Sequence, residues 1–296
     1  MTYRGRFAPS PTGALHFGSL VAAMASYADA RAAQGQWLVR IEDVDEPRAR
    51  PGAATHILRA LERFGFEWDA PVWRQSQRRN AYEAALARLR ALGLVYACAC
   101  TRRELATNPL GRIGERVYPG TCRSGLAGER ASRRRTAMRV LVPPESIGFT
   151  DRLHGPHRQQ LADDVGDFIV QRSDGPAAYQ LAVVIDDAAQ QVTDIVRGAD
   201  LLDSTPRQIF LQRALGLPTP RYLHVPVAID AHGRKLSKAT GAAALPTSPL
   251  PALCAAWRFL DQPLPQDLPA SVREFWSWAV ANWQPATLPP SIVRRV

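Results

Sequence analysis

The sequence predicts an α/β fold, a doubly wound parallel sheet carrying a loop-rich insertion and a short helical C-terminal region. Three observations carry this. Strand-like and helix-like apolar segments alternate through Gly93; the alternation fails near Cys98 and restarts near Asp167; and the C-terminal stretch is a set of helical segments punctuated by proline.

Taken in order, "FGSLVAAMASYADARAA" (17–33) keeps a helical period that Gly35 closes. "WLVRI" (37–41) reads as a short buried strand ending in "EDVDEPR". Helices are expected from about Ala53 to Phe64 and from about Arg79 to Leu92, the second closed by Gly93. From Cys98 to about Val165, Gly, Pro and Arg dominate and no apolar period survives, so this stretch is read as an irregular insertion. "DFIVQR" (167–172) and "VTDIVRG" (192–198) read as strands, with a turn and a helix between them. "STPRQIFLQRALG" (204–216) reads as a helix with Ser204 as its N-cap. "HGRKLSKATG" is a polar loop, and Trp257, Trp276, Trp278 and Trp283 mark the final helices. The expected units are 1–97 and 166–225 as two halves of one sheet domain, 98–165 as the insertion, and 226–296 as loop and helical end.

The 37 Lys+Arg against 27 Asp+Glu leave a net charge of +10, which favours a polyanionic partner such as nucleic acid. An arginine-rich, GC-rich coding background gives the same excess with no functional cause. No run reaches the roughly 18 apolar residues of a membrane span. The first residues do not read as a signal peptide either, so a cytoplasmic protein without membrane contact is expected. Of four cysteines, Cys98, Cys100 and Cys122 cluster and Cys254 stands alone. In that compartment they are read as a metal site or as reduced thiols rather than disulfides. Three thiolates fall one short of the four ligands a structural zinc takes.

Two stretches carry candidate chemistry. In "RFAPSPTGALHFGSL", Pro9 and Pro11 stiffen the chain and Gly13 and Gly18 let it pass close to a ligand, just where a first strand turns into a first helix. His16 then sits at the carboxyl edge of the sheet, before a helix N-terminus that favours anions. Late in the chain, Lys235 and Lys238 of "GRKLSKATG" can close on a pyrophosphate leaving group and neutralise its charge. Arg6, Arg197 and Glu42 end strands on the same edge, where a planar guanidinium suits a substrate carboxylate and an acid suits an ammonium group. "RSGLAGERASRRR" holds Arg123, Arg130, Arg133, Arg134 and Arg135, a phosphate-tracking loop or a solvated segment.

These motifs resemble those of a known family. "PSPTGALHFGS" is similar to the HIGH signature and "KLSKA" to the KMSKS signature of class I aminoacyl-tRNA synthetases. "RFAPSPTG", "RIEDVD", "RSDGPAAYQLAVVIDD" and "DIVRGADLL" resemble the glutamyl branch, over about residues 4–242. Ser19 stands where the second histidine of HIGH would be. The resemblance implies a Rossmann-like class I catalytic fold with an inserted zinc-containing subdomain. It implies His16, Lys235 and Lys238 as catalytic, and Pro9, Thr12, Gly13, His16, Gly18, Ser19 and Lys238 as ATP contacts. It implies glutamate contacts at Arg6, Phe7, Ala8, Pro9, Ser10, Glu42, Tyr179 and Arg197, and one zinc held by Cys98, Cys100, Tyr118 and Cys122. Mg²⁺ is expected to arrive with ATP.

The chain after Ala239 is too short for the helical anticodon-binding domain of a glutamyl-tRNA synthetase. With the three-cysteine-plus-tyrosine insertion, this resembles the members of the branch that activate glutamate with ATP and esterify it to the queuosine base in the anticodon loop of tRNA(Asp). A monomer is expected. Two alternatives stay open: a shortened glutamyl-tRNA synthetase that charges the 3′ end, and a non-catalytic RNA-binding paralogue.

Overall fold

A computed structural model describes residues 2–44, 49–133, 135–237 and 241–296. In chain order the elements are β1 (Arg4–Phe7), α1 (Phe17–Ala32), β2 (Gln36–Ile41), α2 (Ala53–Arg63), β3 (Trp73–Arg74), α3 (Arg79–Ala91), β4 (Val95–Cys98) and α4 (Arg102–Leu105). Then come β5 (Ala137–Val140), β6 (Ile147–Asp151), β7 (Gly155–Gln159), α5 (Leu161–Asp164), β8 (Ile169–Gln171), α6 (Tyr179–Ala189) and β9 (Asp194–Gly198). The chain ends with α7 (Thr205–Ala214), β10 (Arg221–Val225), β11 (Val227–Ile229), α8 (Pro249–Phe259), α9 (Val272–Ala281) and β12 (Val293–Arg295).

The expected parallel α/β core is present. β1 pairs in parallel with β2, and β2 with β3. β9 pairs in parallel with β10 from Arg221↔Asp194 to Val225↔Gly198. The two halves meet at β1, where the Thr193 N–H donates to the Arg4 carbonyl at 3.0 Å and the Arg4 N–H to the Thr193 hydroxyl at 2.8 Å. Helix α1 fills the seam. Its residues from Leu20 to Ala30 are almost all buried, as its nearly all-round apolar sequence requires. It packs on β1, β9, α8 and α9.

The stretch expected to be irregular is not so throughout. β5 lies between β4 and β8 in a three-stranded antiparallel sheet. β6 and β7 form a hairpin whose β6 joins β10 in parallel, with Tyr222 opposite Asp151. Strands of four or five residues with a polar face carry too little periodic signal to stand out in an arginine-rich background. Ser204 also departs from expectation. A 3₁₀ turn (199–204) precedes α7, so Ser204 has helical torsions and its side chain makes no capping bond. Its hydroxyl instead accepts from Gln180 Nε2 at 3.2 Å.

Asp29 ties three distant parts of the chain together. Its carboxylate accepts from Tyr3 Oη (2.5 Å), from both Arg152 Nη atoms (2.6 and 3.0 Å) and from Trp283 Nε1 (3.0 Å). Burial raises its pKa, but the Arg152 hydrogen bonds and charge outweigh that and hold it below the ordinary carboxylate value. Asp29→Ala leaves a half-buried guanidinium and two buried donors without their acceptor. It should lower the unfolding free energy by about 3–5 kcal/mol, read as a shift in the urea midpoint; a shift below ~1 kcal/mol would show that this junction is not needed.

Candidate active site

Two adjoining cavities open where β1, β2, β9 and β10 end. One, about 450 Å³, is lined by Pro9, Thr12, His16, Gly18 and Ser19 and, from later in the chain, by Asp200, Lys235 and Ser237. The other, about 250 Å³, is lined by Arg6, Ala8, Glu42, Tyr179, Arg197 and Leu201. Phe7, Ser10, Ala22 and Gly198 line both. The sequence-predicted contacts are thus brought to one place, with two departures. Gly13 lies in the preceding turn with φ 151° and lines neither cavity, and Lys238 lies outside the described residues. A separate cavity of about 570 Å³, between α3 and the turn at 171–177, contains none of the predicted residues.

The 450 Å³ cavity has the character of an anion site. His16 is extended (φ −120°, ψ 175°) and Phe17 starts α1, so the N–H groups of the first helical turn, which have no partner within the helix, lie at the cavity wall beside Gly18 and Ser19. A Cβ on Gly18 would lie 3.3 Å from two atoms of the His16 ring, so glycine lets that ring fold over the helix start. Lys235 Nζ pairs with Asp200 Oδ2 at 2.5 Å and is about half exposed.

The 250 Å³ cavity is charged on both sides. Glu42 follows β2, and burial raises its carboxyl above the ordinary value of 4.5, while the Arg40 and Arg6 charges oppose the rise. Arg6, predicted to face the substrate, has two of its nitrogens committed to Asp187, Nε at 3.1 Å and Nη2 at 3.3 Å. Arg40 is fully buried beneath them, donating to Asp187 Oδ1 (2.8 Å), Gln190 Oε1 (2.6 Å) and Glu42 Oε1 (3.2 Å). The two arginines hold Asp187 ionised, below the ordinary value, against the cost of burial.

Arg197 is 5% exposed on β9. Its Nε donates to His224 Nε2 (3.0 Å) and its Nη2 to Thr205 Oγ1 (2.8 Å) and the Leu201 carbonyl (3.3 Å). Its buried Nη1 has no hydrogen-bond partner among the described residues. His224 Nδ1 meets Asp151 Oδ2 at 2.7 Å, and both residues are fully buried. Burial, with the Arg197 charge, pushes the His224 imidazole down to about 4, so it is neutral at pH 7. Asp151 is held at about 2, the hydrogen bonds from His224 and the Leu153 and His154 N–H groups overcoming burial.

The four residues predicted as metal ligands also converge. The sulfurs of Cys98, Cys100 and Cys122 lie within 4.8 Å of one another. Tyr118 Oη is 3.3 Å from Cys98 Sγ and 3.8 Å from Cys100 Sγ, and accepts the Cys122 N–H at 3.0 Å. Gly166 makes room for this tyrosine. Its φ is +70°, and a Cβ there would lie 2.1 Å from the Tyr118 carbonyl oxygen. Arg139 donates to Cys98 Sγ at 3.2 Å and sits 3.7 Å over the Tyr118 ring. Three thiolates and a phenolate carry two more negative charges than one divalent ion cancels, and Arg139 offsets one of them, so the donor set suits zinc. Cys254 lies apart, buried in α8.

The arginine-rich loop is anchored by acids. Arg123 forks onto Asp167 (2.6 and 2.8 Å), and Arg130 and Arg133 pair with Glu104 at 3.0 and 2.8 Å. Arg135 is exposed, and Arg134 lies outside the described residues. Sequence reasoning passed over Arg40, Asp186, Asp187 and His224. The signal was present: each is a charged or titratable residue inside an apolar run, "WLVRI", "AVVIDDAA" or "YLHV".

His224 gives the folding equilibrium a pH dependence of definite sign. Its folded-state pKa of about 4 lies below the ordinary 6.5, so between those values the unfolded chain binds the extra proton. Stability contributed by neutral His224 is complete above about pH 6.5, falls as pH drops towards 4, and is constant below that. Urea midpoints should decline across this window in the wild type and less steeply in His224→Gln. An identical slope in the two would rule the assignment out.

Residues 2–248 match the family described as tRNA synthetases class I (E and Q), catalytic domain. A protein of Aromatoleum aromaticum named glutamyl-Q tRNA(Asp) synthetase is 59% identical over 97% of this chain and 90% of its own length. Proteins of the same name from Burkholderia mallei (58%, 95% of this chain and 96% of theirs) and Ectopseudomonas mendocina (52%, 98% and 96%) are similar as well. Among solved structures, a glutamate-tRNA synthetase from Elizabethkingia anophelis superposes with a TM-score of 0.83 at 23% identity, over all of this chain and 68% of that one, which establishes the common fold. With the signature residues gathered around one pair of cavities, the chain belongs to the class I tRNA synthetases (E and Q).

Proposed function

We propose that this protein activates L-glutamate with ATP and transfers it to the queuosine base in the anticodon loop of tRNA(Asp). The observation that carries the reading is the pair of cavities sharing Phe7, Ser10, Ala22 and Gly198, one suited to a polyphosphate and the other to an amino acid with two carboxylates. Relatives named for that reaction, alike over nearly the whole chain, support the choice of acceptor.

In this reading Pro9, Thr12, His16, Gly18 and Ser19 hold ATP, with its phosphates against the α1 N-terminus. Mg²⁺ would arrive with ATP and lessen the charge of its phosphates. The Glu42 carboxylate takes the substrate ammonium group, and Arg197, with Tyr179 and the Arg6–Ser10 segment, takes the side-chain carboxylate. The substrate α-carboxylate attacks the α-phosphate; a new P–O bond forms, the bond to pyrophosphate breaks, and the leaving charge is met by His16, Lys235 and Lys238. A queuosine hydroxyl then attacks the glutamyl carbonyl, releasing AMP. Cys98, Cys100, Tyr118 and Cys122 would hold one zinc, which would tie the insertion together. The protein acts as a monomer in the cytoplasm.

Glutamate should support ATP–pyrophosphate exchange without tRNA, and labelled glutamate should appear on queuosine-containing tRNA(Asp), mapped by nuclease digestion to the modified base. Label on the 3′-terminal adenosine would favour the shortened glutamyl-tRNA synthetase instead, and no exchange at all would favour the RNA-binding paralogue. Metal analysis should find about one zinc per chain; Cys100→Ser should lose it and Cys254→Ser retain it. A folded, active wild-type protein without zinc would refute the site.

A further inference from the structure

Arg197 reaches the amino-acid cavity with two of its three guanidinium nitrogens already engaged by the protein. That arrangement has a structural origin. His224 on β10 is the register partner of Arg197 on β9, so the two side chains stand next to each other on one face of a parallel pair. Thr205, at the start of α7, closes the other side of the fork. Asp151, at the end of β6, closes the far side of the imidazole. The carboxylate is itself fixed, its Oδ1 accepting from the Leu153 and His154 N–H groups at 3.0 Å each.

The chemistry of these neighbours leaves one arrangement of protons. A guanidinium has donors and no acceptor, so His224 Nε2 must present its lone pair to Arg197 Nε–H. The imidazole proton then sits on Nδ1 and is donated to the Asp151 carboxylate, which only accepts. With Nε and Nη2 held, Nη1 is the nitrogen left without a partner among the described residues, in a side chain that lines the cavity.

We propose that Asp151 and His224 are positioning residues for substrate selection: Asp151 fixes the imidazole tautomer, and the imidazole fixes the Arg197 fork so that Nη1 faces the carboxylate of the incoming amino acid. This rests on the reading of Arg197 as a glutamate contact. Neither Asp151 nor His224 lines either cavity of the active site, and the side chain that joins them to the amino-acid cavity is Arg197.

Two substitutions at one position separate this role from simple packing. The Asn side chain places its amide near the Nδ1 position, so His224→Asn keeps the Asp151 contact and loses the acceptor for Arg197. The Gln side chain reaches the Nε2 position, so His224→Gln keeps an acceptor for Arg197 and loses Asp151. In glutamate-dependent ATP–pyrophosphate exchange, His224→Asn should raise KM for glutamate about tenfold or more with little change in kcat. His224→Gln should raise it less than about threefold, although both lower Tm. Equal KM effects in the two variants, or a loss confined to kcat, would overturn the proposal. A measurement on the wild type makes the test independent of variant folding: ¹⁵N NMR of ring-labelled histidine should show His224 protonated at Nδ1 and bare at Nε2 at pH 7, and the opposite tautomer would overturn it. Arg197→Ala serves as the reference. If it leaves KM for glutamate unchanged, the assignment of the cavity fails; if it raises KM while His224→Asn does not, the relay fails and the cavity assignment stands.

Discussion

A fully buried arginine organises this molecule. Arg40 stands in the middle of an apolar strand with no exposed surface, a placement that costs several kcal/mol unless its charge is met. It is met from two directions, by Asp187 on α6 and by Glu42 two residues further along its own chain. Asp187 in turn grips Arg6 on β1. The cluster therefore joins β1 and β2 to a helix of the other half of the sheet, and it does so directly beneath the amino-acid cavity. Removing any one charge strands another in a low-dielectric interior, so the halves and the cavity floor are set together.

The same economy of charge orders the cavities above. Burial raises the Glu42 carboxyl above its ordinary value, and the Arg40 and Arg6 charges beside it oppose the rise. Arg197 supplies the opposite charge to the same cavity, backed by neutral His224 rather than by a carboxylate. A carboxylate in direct contact would neutralise the guanidinium; a neutral imidazole accepts its hydrogen bond without doing so. In the larger of the two cavities, Lys235 rests on Asp200, a part-exposed pair that contributes little to stability.

The insertion is built on a different principle. Its first part packs around a small apolar cluster of Cys98, Tyr118 and Cys122, whereas Val140, Val142, Ile147, Leu161 and Val165 join a larger core. Acids hold the arginine-rich loop to that cluster through Asp167 and Glu104, and Gly166 admits Tyr118 against the backbone.

The signature stretch with His16, the β–α alternation of the first 93 residues and the convergence of Cys98, Cys100 and Cys122 were legible in the sequence, because each depends on local spacing or on residue types with few alternative uses. β5 to β7 were not, since short strands with one polar face take their identity from the neighbours they pair with. Ser204 lost its capping role to a 3₁₀ turn that packing with β9 and β10 imposes. Arg6 is the clearest division between the two levels. The sequence placed it at the cavity, and there it is, yet two of its nitrogens serve Asp187, a residue 181 positions away. Asp29 with Trp283, Arg40 with Asp187, and Arg197 with His224 and Asp151 likewise bring together groups far apart in the chain. Local pattern determines which residues are poised to act, but the partner that satisfies a buried charge is chosen by distance in space, and that only the folded chain decides.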